Sequence, residues 1–165
     1  MQLAPGLQVT FSENPTKNSI QSRMMTPRQI MLVQATFEQS RYRSRVIGER
    51  FYRRLFKRYP EMRAMFKGDI DEQVNKLMRM VAVLVDKLDQ PNEFAETLTN
   101  LSIRHQAYGV RPEHYRRAGR VFLWAFKPAD GKSFSPEVRQ AWLAFYETLS
   151  AYVVEETSDI EFASG

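Results

Sequence analysis

His105 and His114 are the only histidines in a 165-residue chain that has no cysteine, and the neighbours of His105 are those of a ligand site. Leu98, Leu101 and His105 lie three and then four residues apart, so they share one face of a helix. Thirty-two positions upstream, Gln73 opens a second, strongly apolar helix. An imidazole and an amide aimed inward from two helices could sandwich a planar metal cofactor. The same imidazole would equally suit a core in which both its nitrogens are hydrogen-bonded, so the rest of the chain has to decide.

Other chemistries find little support. The absence of cysteine removes disulfides, thiolate zinc sites, iron–sulfur clusters and cysteine nucleophiles. Two histidines nine residues apart match no zinc spacing. No G-x-S-x-G, Walker or G-x-G-x-x-G segment is present. The acid pairs Asp69/Asp71 and Glu155/Glu156 fall at a helix start and in the tail, where the helix dipole and solvation account for them.

The elements that must position His105 are helical throughout. Residues 1–25 are polar, hold Pro5, Gly6, Asn14 and Pro15, and read as a mobile arm. Thr26-Pro27-Arg28-Gln29 is a capping box with proline at the first helical position. Its helix carries Ile30, Leu32, Val33 and Phe37. A second helix runs over about 44–59 and ends at Pro60; after a short turn and the break Lys67-Gly68-Asp69, an apolar helix covers about 70–88. Asp89-Gln90-Pro91-Asn92 interrupts the chain before a helix over 93–108 that Gly109 terminates. Another covers 112–126, and Ser135-Pro136-Glu137 opens the last, expected to end near Glu156. Alternating strand patterns and internal repeats are absent, so the expected class is all-α: six or seven helices forming a bundle or crossing steeply around a cofactor. The expected organisation is an arm over 1–25, one domain over 26–157 and a tail over 158–165.

Composition is that of a soluble globular protein, 43% hydrophobic and 26% charged. The longest apolar run, residues 80–85, is far below the roughly 20 residues that span a bilayer. The first residues lack the layout of a signal peptide, so neither a membrane partner nor export is expected and the cytoplasm is the expected location. The net charge of +5 is concentrated: residues 41–67 hold ten Lys or Arg against Glu49 and Glu61, a local +8. Arg43, Arg50, Arg54 and Lys57 form a helical stripe opposite Ile47, Phe51, Leu55 and Tyr59, the layout of an amphipathic helix with a solvated face. No nucleic-acid-binding signature accompanies it, and no nucleic acid partner is expected.

Several groups at informative separations carry a resemblance. Phe51-Tyr52, the Tyr59-Pro60-Glu61-Met62-Arg63-Ala64-Met65-Phe66 turn, Gln73 with Leu77, and Arg104-His105-x-x-Tyr108-Gly109-Val110-x-Pro112-Glu113-x-Tyr115 resemble a bacterial globin. More narrowly, they resemble the haem domain of flavohaemoglobins and their single-domain relatives, over residues 26–156. That resemblance implies a globin fold and haem b. It implies His105 as proximal iron ligand, with Phe66, Gln73, Leu77, Leu101, Tyr108, Val110 and Tyr115 also against the cofactor. Tyr52 and Gln73 would form a distal polar pair. Gly48 fits a close helix crossing, although Val74, at the facing position, is bulkier than the small residue many globins carry there, which argues against the tightest crossing. On the proximal side, flavohaemoglobins support the imidazole through a Tyr–Glu pair. Tyr115 matches the Tyr; an ungapped count from Trp142 lands on Thr157, one past Glu156, so Glu156 fills the Glu role if the last turn shifts by one residue. His114, in a turn-to-helix start, is expected to face solvent.

The expected function is therefore binding of O2, NO and other diatomic gases by a haem globin. Two distal donors favour tight oxygen binding with slow release. Tyr52, Gln73, Tyr115 and Glu156 are the candidate catalytic residues for conversion of NO to nitrate, with an external reductase supplying electrons because the chain ends soon after the last helix. The basic stripe could dock that reductase. A gas sensor or storage protein without turnover, and a peroxidase-like haem protein, are the alternatives. Gln73, Tyr52 or Lys76 could ligate iron when gas is absent.

Overall fold

The structure is a computed structural model that describes residues 25–128 and 134–163, with side chains described through Val153. Six helices follow one another: α1 (Pro27–Ser40), α2 (Ser44–Arg58), α3 (Ile70–Asp86), α4 (Pro91–Ala107), α5 (Pro112–Phe126) and α6 (Pro136–Ala163). Two 3₁₀ turns, Arg41–Arg43 and Pro60–Met65, join the first three. No strand occurs among the described residues, and the all-α expectation holds.

Local chemistry explains most boundaries. Thr26 accepts from the Gln29 backbone N–H while the Gln29 side chain accepts from that of Thr26, the reciprocal cap read from the sequence. Asp69 caps α3 by accepting from the Asp71 N–H, and the Ser135 hydroxyl accepts from Val138 at the start of α6. Proline opens α1, α4, α5 and α6, where its missing N–H costs nothing. Pro91 corrects one expectation: it begins α4 instead of interrupting the chain before it. Two others shift at their edges. Met25, assigned to the arm from sequence, is buried in the core, and α6 continues past Glu156 to Ala163.

The core lies where α1, α5 and α6 meet α2 and α3. Trp142 of α6 is fully buried, stacks on Phe126 at 4.4 Å, and leans on Phe37 and Phe145. Its indole N–H donates to Thr36 Oγ1 at 2.9 Å, which satisfies the one polar atom this ring brings into the core. At the α2–α3 crossing, a Cβ on Gly48 would lie 2.7 Å from Val74 Cγ1. The bulk of Val74 therefore does not loosen the crossing; its methyl sits in the space that the glycine leaves. Helix α4, which carries His105, packs chiefly against α6 and makes no comparable contact with α2 or α3.

Candidate functional site

The turn after α4 folds the chain back on His105. Gly109 takes a φ of +76°, a left-handed conformation that glycine adopts without steric cost. The N–H groups of Tyr108 and Val110 both donate to the His105 carbonyl, at 3.1 Å each. The Arg111 N–H then donates to His114 Nδ1 at 2.9 Å, and Pro112 starts α5. His114 thus caps a helix, a role its turn position alone did not reveal.

One turn into α5, the Tyr115 hydroxyl lies 2.8 Å from His105 Nδ1. Burial, and then the neighbouring Arg104, push the His105 imidazole below its ordinary value of 6.5, so the ring is neutral at neutral pH. Burial raises the Tyr115 phenol, which keeps its proton. When Nδ1 carries the ring proton it donates to the phenol oxygen, and Nε2 presents its lone pair with no partner among the described residues.

Two residues that sequence reasoning missed hold Tyr115. The Tyr146 hydroxyl donates to the Tyr115 carbonyl. Its ring crosses α5 directly over Gly119, where any Cβ would collide with it. A glycine inside an otherwise regular helix was the available signal. The Glu156 side chain lies outside the described residues.

On α2, Tyr52 is 4% exposed and meets Phe66 edge-on, ring centres 5.3 Å apart. Two candidates distant in sequence thus meet. The Tyr52 hydroxyl makes no hydrogen bond among the described residues, and burial raises its phenol, so it remains a donor. Gln73 does not join it: the Gln73 amide donates to the Lys67 carbonyl at 3.1 Å. Leu77 and Val110 are half-buried and Leu101 is buried, whereas Tyr108 is 64% exposed.

No group of three or more His, Cys, Asp or Glu among the described residues could chelate a bare metal ion. One neutral imidazole with a free Nε2, and one buried phenol without a partner, fit a metal that arrives inside a macrocycle and needs a single protein ligand.

The globin family profile matches residues 49–153. The chain belongs to the globin family. This globin is 26% identical over 140 residues to a flavohemoprotein of Rhizobium meliloti, a match covering 83% of the chain and 35% of that relative. It is 28% identical over 135 residues to a flavohemoprotein of Deinococcus radiodurans, covering 79% and 33%. The chain thus spans about a third of the length of these relatives, the part that holds their haem domain. Over 80 residues it is 32% identical to neuroglobin of Tetraodon nigroviridis, covering 48% and 50%. The fold superposes on an engineered carbene transferase from Rhodothermus marinus, assigned as a nitric oxide dioxygenase, with a TM-score of 0.76 at 23% identity, covering 86% of this chain and 100% of that one. A bacterial globin of Campylobacter jejuni gives 0.72 at 20%, covering 82% and 99%. Family membership implies that this globin binds haem. No described helix is long and apolar enough to cross a membrane.

Proposed function

We propose that this globin, with its domain over residues 26–157, holds haem b through His105, binds O2 and NO, and converts NO to nitrate in the cytoplasm. The contact between His105 Nδ1 and the Tyr115 hydroxyl carries the reading. It fixes the rotation of the imidazole, and the phenol oxygen accepts a hydrogen bond from the Nδ1–H, so that Nε2 is the ligating atom. When bound, haem b would supply an iron that takes diatomic ligands and lends them electron density.

The chain's own residues do the rest. Tyr115 raises the basicity of His105 by accepting its Nδ1 proton in a hydrogen bond, and Tyr146 keeps Tyr115 in place from behind. The Tyr52 hydroxyl, buried and without another partner, donates to a polar ligand on the opposite side. Phe66 and Leu77 line that side and limit water, while Leu101 and Val110 flank the cofactor on the side of His105. Gln73 becomes a second donor only by releasing the Lys67 carbonyl.

The overall conversion, NO + O2 + e⁻ → NO3⁻, takes one electron per turnover, which an external reductase supplies. The Rhodothermus marinus protein and the flavohemoproteins support this reading by their names. Stopped-flow mixing of the oxygenated protein with NO tests it. Stoichiometric nitrate with rapid conversion to the ferric spectrum is expected; slow conversion without nitrate would refute it.

A further inference from the structure

The outer face of α2 presents Arg50, Arg53, Arg54, Lys57 and Arg58, and none of them pairs with a carboxylate among the described residues. Four arginines elsewhere are matched, Arg28 with Glu137, Arg41 with Glu38 and Asp86, Arg45 with Glu49 and Asp71, and Arg117 with Glu61, while Arg79 and Arg139 also lack a carboxylate among the described residues; this face differs in gathering five such cations on one side of one helix. Unmatched charge of one sign on one face repels itself and draws anions.

This face is also stiffened. The guanidinium groups of Arg50 and Arg54 lie over the Trp124 ring, 4.5 and 4.3 Å from its centre. Arg50 also donates to the Lys127 carbonyl at 3.1 Å, at the C-terminal end of α5. Two planar cations are therefore already oriented, with exposed Arg53, Lys57 and Arg58 beside them. Guanidinium groups held in this way lose little freedom on meeting a carboxylate.

We propose that this face docks an acidic protein that delivers electrons to the haem site, its carboxylates meeting Arg53, Arg54, Lys57 and Arg58. The proposal rests on the reading that turnover draws on an external reductase. Tyr52 projects from the opposite side of the same helix, so the docked partner stands about one helix diameter, ~10 Å, from the distal pocket. Single-stranded nucleic acid fits less well: it binds by stacking bases on aromatic rings, and the Trp124 ring is covered by two guanidinium groups. A bilayer also fits less well, because Val46 is the one large apolar side chain of α2 that is exposed.

Two charge-reversed variants of equal net charge test it: Arg53→Glu/Lys57→Glu on this face and Arg79→Glu/Arg139→Glu on exposed positions of α3 and α6. The probe is an acidic flavodoxin, dye-labelled and titrated with haem-loaded globin at low and moderate salt. Expected are binding that weakens with salt, a loss of about tenfold or more in the first variant, and a loss within about threefold in the second. Reduction of the ferric protein by reduced flavodoxin should slow in parallel, while reduction by dithionite stays unchanged. Equal losses in both variants would overturn the proposal, as would no binding of flavodoxin alongside binding of RNA or anionic vesicles. NO consumption driven by a small-molecule mediator separates the two claims. If it fails, the functional reading falls and the flavodoxin titration still judges the surface.

Discussion

The Tyr115 hydroxyl and His105 Nδ1 lie 2.8 Å apart across a turn that reverses the chain within ten residues. Everything that holds this contact is local or one layer behind it: the left-handed Gly109, the His114 cap, and the Tyr146 ring laid over Gly119. The imidazole is thereby oriented before any cofactor arrives.

Replacing Tyr115 with Phe removes the acceptor for the Nδ1 proton and leaves the ring in place. The iron–histidine stretching band in resonance Raman spectra should move to lower frequency, and peroxide turnover should fall by about tenfold or more. Oxygen affinity should change far less. An unshifted band would show that the contact does not survive haem binding.

Tyr52→Phe and Gln73→Leu separate the two distal candidates. A hydrogen bond to a ligand carrying partial charge contributes about 1.5–3 kcal/mol, so Tyr52→Phe should speed oxygen release roughly tenfold or more. Gln73→Leu should have a much smaller effect, because the amide is engaged with Lys67. Equal effects in flash photolysis would mean that Gln73 leaves Lys67 when gas binds.

Gly48→Ala places a methyl 2.7 Å from Val74 Cγ1, and a β-branched side chain in a helix has little room to yield. The expected destabilisation is about 1–3 kcal/mol by urea denaturation. Adding Val74→Ala should recover part of it, and a double-mutant cycle without coupling would contradict the close crossing.

The helices and the helix face that carries His105 were legible in the sequence because they rest on local rules. Caps at Thr26 and Asp69, prolines at first helical positions and the Leu98–Leu101–His105 spacing are all short-range signals. Pro91 was misread for the same reason: proline after Asp89-Gln90 looks like a break until the helix behind it is seen. What was not legible depends on side chains meeting across helices. The Gln73 amide turns to a carbonyl six residues earlier, and Tyr108 faces outward although its motif suggested the pocket. Tyr146 carried no signal of its own, since nothing in its own helix shows that Gly119 lies beneath it. Val74 looked too large for the crossing until its methyl was seen filling the glycine's space.

Arg28 and Glu137 join α1 to α6 by a two-pronged ion pair, one contact at 3.0 Å. The hydrogen bond from Arg28 holds the Glu137 carboxyl below its ordinary value of 4.5. Its contribution to stability is therefore complete above that value and is lost as pH falls through the lowered one. In an NMR titration, Arg28→Ala should return Glu137 to the ordinary carboxylate range; an unmoved midpoint would show that the pair does not form in solution. Both groups are exposed, so the effect on thermal stability should be small.

The central claim is that His105 binds the iron of a haem. Absorption spectra of the protein purified from haem-replete cells, recorded in ferric, ferrous and carbon monoxide forms beside His105→Gly, test it most directly. The account predicts a Soret band in the parent. In the variant, that band should be lost or carry an altered ferrous spectrum, which added imidazole restores by occupying the vacated position. A parent without a Soret band, or a variant whose ferrous and carbon monoxide spectra match the parent without imidazole, would contradict it.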